Sequence, residues 1–73
     1  MSNHGTPLDI QVGDLVEGVA SGSTHGSVIR VRVDREPWPG GVSSDGRDRT
    51  VLSDGRGVHM VDTDTIQIIE RAQ

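Results

Sequence analysis

Residues 44–56 read Ser-Asp-Gly-Arg-Asp-Arg-Thr-Val-Leu-Ser-Asp-Gly-Arg, so one tetrapeptide, Ser-Asp-Gly-Arg, occurs at 44–47 and again at 53–56. Asp-Gly is a turn dipeptide, because Gly accepts positive φ without a steric penalty and the preceding Asp can bond back to its own backbone. Between the copies lies Arg49-Thr50-Val51-Leu52, the length of a short strand. The two copies are therefore read as turns at the two ends of one strand, and that strand forms a hairpin with the next, Gly57–Val61. A true repeat would need matching flanks over about 20 residues or more, and they are absent. A phosphate-cradling loop of the Walker type would need Gly-Lys-Ser/Thr, and the chain has no lysine.

Outward from this hairpin the same grammar continues. Ten glycines spaced through 73 residues leave no window for an amphipathic helix, while β-branched clusters recur between them. Strands are expected near Asp14–Val19, Ser27–Val33, Arg49–Leu52, Gly57–Val61 and Ile66–Ile69. In Ile29-Arg30-Val31-Arg32-Val33 the aliphatics take one face and both arginines the other, which makes one face core and one face wet. The stretch 34–48, dense in Pro, Gly, Ser and Asp, is expected to be a long loop, and loops of that length act as binding surfaces or move. Asp62-Thr63-Asp64-Thr65 can cap a single helical turn before the last strand. Residues 1–8 are expected to form a flexible tail and residues 9–71 the domain.

Composition removes several chemistries. With no cysteine there is no disulfide, thiolate metal site or cysteine nucleophile. Hydrophobic residues make up 32% of the chain, with a single Trp and no Phe or Tyr, so the core must be aliphatic and small. Packing against a second copy would enlarge it, which makes a homo-oligomer an option. No run approaches a membrane span and the N-terminus lacks a secretory pattern, so a cytoplasmic protein without membrane attachment is the default. All seven basic residues are Arg, a hint of GC-rich coding DNA. A net charge of −4 argues against general electrostatic binding of nucleic acid, and residues 26–56 hold six arginines against five acids, a local surplus of only +1.

Val12-Gly13-Asp14-Leu15-Val16 opening the first strand, His25-Gly26-Ser27-Val28-Ile29 opening the second, the Asp-Gly turn and the closing apolar strand resemble a small actinobacterial SH3-like family of unknown function, over residues 11–70. The resemblance implies a five-stranded SH3-like barrel. The chain is also similar, more distantly, to the plasmid-borne type II dihydrofolate reductases, short SH3-like chains in which four copies surround one pore. In that family a Val-Gln-Ile-Tyr segment on a late strand contacts folate and NADPH. Val58-His59-Met60-Val61 occupies the equivalent place and keeps only the Val.

Candidate chemistry is sparse. His4, His25 and His59 have no metal-ligand spacing, so no metal site is expected. His25 reads as a turn residue. His59 alternates to the face opposite Val58 and Met60, as a solvated or interface residue. Ser, His and Asp are present without a nucleophile elbow, so no catalytic residue is assigned and catalysis by a monomer is not expected. Trp38, between Pro37 and Pro39, is either a lid over the barrel mouth or an exposed anchor, since Trp gives large contact area at low entropy cost. Arg30, Arg32 and Arg35 could stack on or pair with the acids of a partner.

These readings converge on an all-β, five-stranded SH3-like small barrel with a long loop after strand 2 and one short helical turn before the last strand. The expected role is a non-catalytic binding module that docks a protein partner through the Trp38 loop and the Arg30/Arg32 strand face, with Arg35 beside them and no cofactor. Two alternatives come from other classes. One is a tetrameric reductase holding NADPH at Val58, His59, Met60 and Val61 in a pore between protomers, and the other is a nucleic-acid-binding barrel.

Overall fold

The computed structural model describes residues 10–23 and 25–72. The tail expected over 1–8, and His4 within it, lie outside the described residues. The fold is all-β: β1 (Leu15–Val19), β2 (Val28–Arg32), β3 (Trp38–Val42), β4 (Asp48–Ser53), β5 (Val58–Asp62), a 3-10 turn (Thr63–Thr65) and β6 (Gln67–Glu70). The strands form two antiparallel sheets of three, ordered β2-β1-β6 and β3-β4-β5.

The duplicated tetrapeptide does form the turns at both ends of β4. Gly46 has φ 87° and Gly55 φ 86°, and the first turn is closed by Gly46 N–H to Ser43 O at 2.9 Å. At the second, Asp54 Oδ1 accepts from the N–H groups of Arg56 and Gly57. The Asp-Gly signal was mechanistic, and the mechanism is what the backbone shows.

Six strands replace the expected five. The long loop contains β3, Trp-Pro-Gly-Gly-Val, whose composition argues against a strand. It becomes one because it is an edge: β3 bonds only to β4, where the missing N–H of Pro39 is tolerated, and the register shift between Pro39 and Val42 takes up the irregularity at Gly40–Gly41, Gly41 having φ 80°. The loop is thereby reduced to 33–37 and 43–47.

One face of each sheet meets the other. The core joins Val16 of β1, Val31 of β2, Leu52 of β4 and Val61 of β5 with Ile10 and Val33, and Ile29, Ile66 and Ile68 pack against it half-buried. The sheets approach closely where Gly18 of β1 lies on Val61; a Cβ at Gly18 would stand 3.2 Å from Val61 Cβ. Two main-chain links span them, Ser21 N–H to Met60 O and Asp34 N–H to Ser53 O, both 2.9 Å. These links are isolated, and the sheets are not closed into one continuous ladder.

Two polar groups hold this small core in place. Asp14 is fully buried: Oδ2 accepts from Gln11 N–H at 2.9 Å, Oδ1 from Ala72 N–H at 2.7 Å, and Arg71 Nη1 lies 3.4 Å from Oδ2. The N–H groups of Gln11 and Ala72, with Arg71 behind them, keep its carboxyl below the usual carboxylate range. The expected helical turn is present, but Asp62 makes no side-chain cap bond to it. Threonines secure it instead. Thr65 Oγ1 donates to Asp62 O and accepts from Val19 N–H, while buried Thr50 bonds Thr63, whose hydroxyl reaches Asp48.

Gly13 and Gly55 differ in what surrounds them. A Cβ at Gly13 (φ 97°) would meet Ala72 Cβ at 2.9 Å, whereas one at Gly55 finds its nearest atom, Asp34 Oδ2, at 3.5 Å. Gly55→Ala should therefore lose about 1 kcal/mol through backbone strain alone, and Gly13→Ala more than that. Urea denaturation should show midpoints falling in that order with unchanged slope.

Candidate functional site

The structure separates the residues that the sequence grouped. Arg30 and Arg32 project from β2, and each is engaged: Arg30 Nε to Glu17 Oε2 at 2.9 Å, Arg32 Nη2 to Glu70 Oε1 at 3.0 Å and Nη1 to the Gly13 carbonyl at 2.8 Å. Glu17 faces Arg30 directly in the β1–β2 register. Arg35 lies 3.8 Å from its neighbour Asp34. Such exposed pairs add little stability, and each sets a carboxylate beside an arginine of this sheet. Trp38 stands in the other sheet, on an edge strand rather than in a loop.

What surrounds Trp38 is apolar. Directly paired residues of an antiparallel sheet share a face, so the register Trp38–Val51–Met60 is one row across β3, β4 and β5. This row lies on the face opposite Thr50, Leu52 and Val61, which point inward. Val51, in the middle, keeps 5% exposure, while Trp38 keeps 37% and Met60 43%; Val58, one face step from Met60, keeps 59%. Trp38 is therefore neither a closed lid nor a free side chain. The expectation that Val58 and Met60 face away from solvent is corrected. They point outward because the core needs Val61, and strict alternation then puts Met60 and Val58 on the other side.

Alternation carries His59 of the same strand inward from that row. It is half-buried, with Nε2 2.9 Å from Asp54 Oδ2. This bond first, then the N–H groups of Arg56 and Gly57, lower the Asp54 carboxyl to about 2. His25 is exposed in the turn before β2, as read from the sequence. Of the segment compared with the reductases, Val61 is buried in the core, Val58 and Met60 face out, and His59 is held by Asp54.

Beside the apolar row opens a polar groove of about 580 Å³, between Ser21, Gly22, Ser23 and Gly26 on one side and the β3–β4 turn on the other, with Ser44, Arg47, Arg49 and Asp62 also on its walls. Arg47 Nη1 lies 3.5 Å from Asp62 and Arg47 Nε 3.8 Å from Asp45. The Asp45 carboxyl, bonded by Ser43 Oγ, is lowered below its usual range. Met60 was singled out from the sequence only within the segment compared with the reductases, and Arg49 not as a site residue at all. The available signal was the alternation Arg49-x-Val51-x-Ser53 against Val58-x-Met60-x-Asp62 on either side of an Asp-Gly turn. Among the described residues no group of three or more His, Asp and Glu side chains is placed to hold a metal ion, and no helix is long and apolar enough to cross a membrane.

Comparison with protein-family models, with curated proteins and with solved structures yields no match for this chain.

Asp54 makes the acid limb of stability testable. Its folded pKa is depressed from 3.8 to about 2, so the ionised form contributes stability that is whole above about pH 4 and is lost as pH falls toward 2. Asp14 acts in the same direction. Asp54→Asn should be less stable than the native chain at pH 7 and show a shallower loss between pH 4 and 2, with the difference between the two chains shrinking toward pH 2. Urea midpoints measured across that range check both.

Proposed function

We propose that the protein is a small non-catalytic binding module that docks a protein partner on the outer face of the β3-β4-β5 sheet, centred on Trp38 and Met60. One observation carries this reading: in a registered row of apolar side chains on the outer face of this sheet, Trp38, Val51 and Met60 with Val58 adjoining, Trp38, Met60 and Val58 are all exposed. Exposed contiguous apolar surface rimmed by polar groups is the usual mark of an interaction site. Trp at its edge is the residue type most enriched among binding hot spots. The order of strands, the tight β4–β5 hairpin and the single 3-10 turn before β6 support assigning the fold to the SH3-like small barrels. The Arg30/Arg32 face is left out of the docking surface, since its charges are matched by Glu17 and Glu70.

Selection of binders from a random displayed-peptide library tests the assignment. Binders should lose affinity with Trp38→Ala and with Met60→Ser, and keep it with Arg30→Ala and Arg32→Ala. Binders indifferent to both Trp38 and Met60 would overturn the surface. Sedimentation showing a tight oligomer that shields Trp38 from acrylamide would overturn it too, by showing that a second copy covers this face. Because Trp38 is only partly covered, Trp38→Ala should cost less than the roughly 3–5 kcal/mol of a fully buried large aromatic. As the sole fluorophore of its kind, it should emit between the buried and solvated limits and remain open to quenching in the free protein.

A further inference from the structure

The register places a cation at one end of the apolar row. Arg49, Val51 and Ser53 share the outer face of β4, so Arg49 stands one face step from Val51, a rise of about 7 Å. The two glycines of β3 make room for it. A Cβ on Gly40 would lie 3.3 Å from Arg49 Cβ, and one on Gly41 3.6 Å from Arg49 Nη2.

Within the groove the two arginines are in different states. Arg47 is matched by Asp62 and Asp45. Arg49 has neither an ion pair nor a side-chain hydrogen bond among the described residues, and its Nε is buried without an acceptor. With Nε shut off from solvent, an acceptor supplied from outside would meet the terminal Nη1 and Nη2 of Arg49, which make no hydrogen bond among the described residues. A planar monoanion fits best. Carboxylate oxygens match the guanidinium fork, whereas a dianionic phosphate would be repelled by Asp45 and Asp62 on the same walls. The hydroxyls of Ser21 and Ser44 line the groove and make no hydrogen bond among the described residues.

We infer that Arg49 receives the carboxylate of an Asp or Glu side chain in an extended segment of the partner, whose apolar side chain two residues away rests on Trp38 and Met60. The spacing follows from the sheet: residues two apart in an extended chain are separated by the same rise of about 7 Å that separates Arg49 from Val51. This inference rests on the docking reading above and adds the charge and spacing of what docks.

The test uses the intact chain, ¹⁵N-labelled, titrated with the blocked peptide Ac-Ser-Glu-Ser-Leu-Ser-Glu-Ser-NH2, which offers the spacing in either strand direction. Its Gln-for-Glu counterpart and inorganic phosphate are the controls. The Arg49 Nε–H and Trp38 indole N–H resonances should shift together and saturate with the Glu peptide. The Gln peptide should bind at least about tenfold more weakly, and Arg49→Gln should bring the Glu peptide down to that level. Equal titration by the two peptides, a silent Arg49 resonance, or tighter binding of phosphate than of the Glu peptide at Arg49 would overturn the inference. Because the Glu and Gln peptides are compared on the native chain, the outcome does not depend on the variant folding. If both peptides shift Trp38 equally while Arg49 stays silent, the carboxylate falls and the docking face stands. If neither resonance responds to either peptide, both fall.

Discussion

The buried carboxylate of Asp14 is the contact on which the rest of this architecture depends. It takes the N–H of Gln11 on one oxygen and that of Ala72 on the other, so residues at opposite ends of the described chain meet on one side chain. Its own backbone pairs with Val33, where β2 leaves its sheet. An aliphatic core of this size, without a buried aromatic, has little surplus against chain entropy. A fully satisfied polar group at the junction specifies which ends come together, which apolar packing alone specifies poorly. Gly13 belongs to the same device, since only a residue without Cβ lets Ala72 approach so near.

Legibility in the sequence tracked the range of the interaction. The turns at 44–46 and 54–56 were readable because their cause is local, an Asp-Gly step and positive φ. The alternation of β2 was readable for the same reason. β3 was not, because Pro39 and two glycines are poor strand formers and only their position at a sheet edge makes them acceptable. For β5, alternation showed that Val58 and Met60 share a face but could not say which face is core; that is decided by Val61 packing on Gly18, a contact between distant parts of the chain. The ion pairs of Arg30 with Glu17 and of Arg32 with Glu70 are long-range as well, and they turned an apparently cationic surface into a matched one. Val12-Gly13-Asp14 was seen as the opening of a strand, while its partner at Ala72 lies far along the chain.

The two sheets consequently present unlike exteriors. On β2-β1-β6, charges are arranged as neighbours of opposite sign, and a face of that kind is well solvated and undemanding. On β3-β4-β5 the apolar row ends at a groove in which one arginine is matched twice and the other is unmatched. Both exteriors arise from the same rule of alternation, and they differ in whether the outward positions hold paired charges or large apolar groups.

The edge strand β3 sets a further limit on how anything can associate with this molecule. Open sheet edges normally invite a foreign strand to continue the hydrogen-bond ladder, the first step in domain swapping and fibril growth. Here that edge carries a proline with no donor and a two-glycine irregularity that breaks the repeat of N–H and C=O groups. The chain thus displays exposed apolar side chains beside a β3 edge that is poorly suited to templating a further strand.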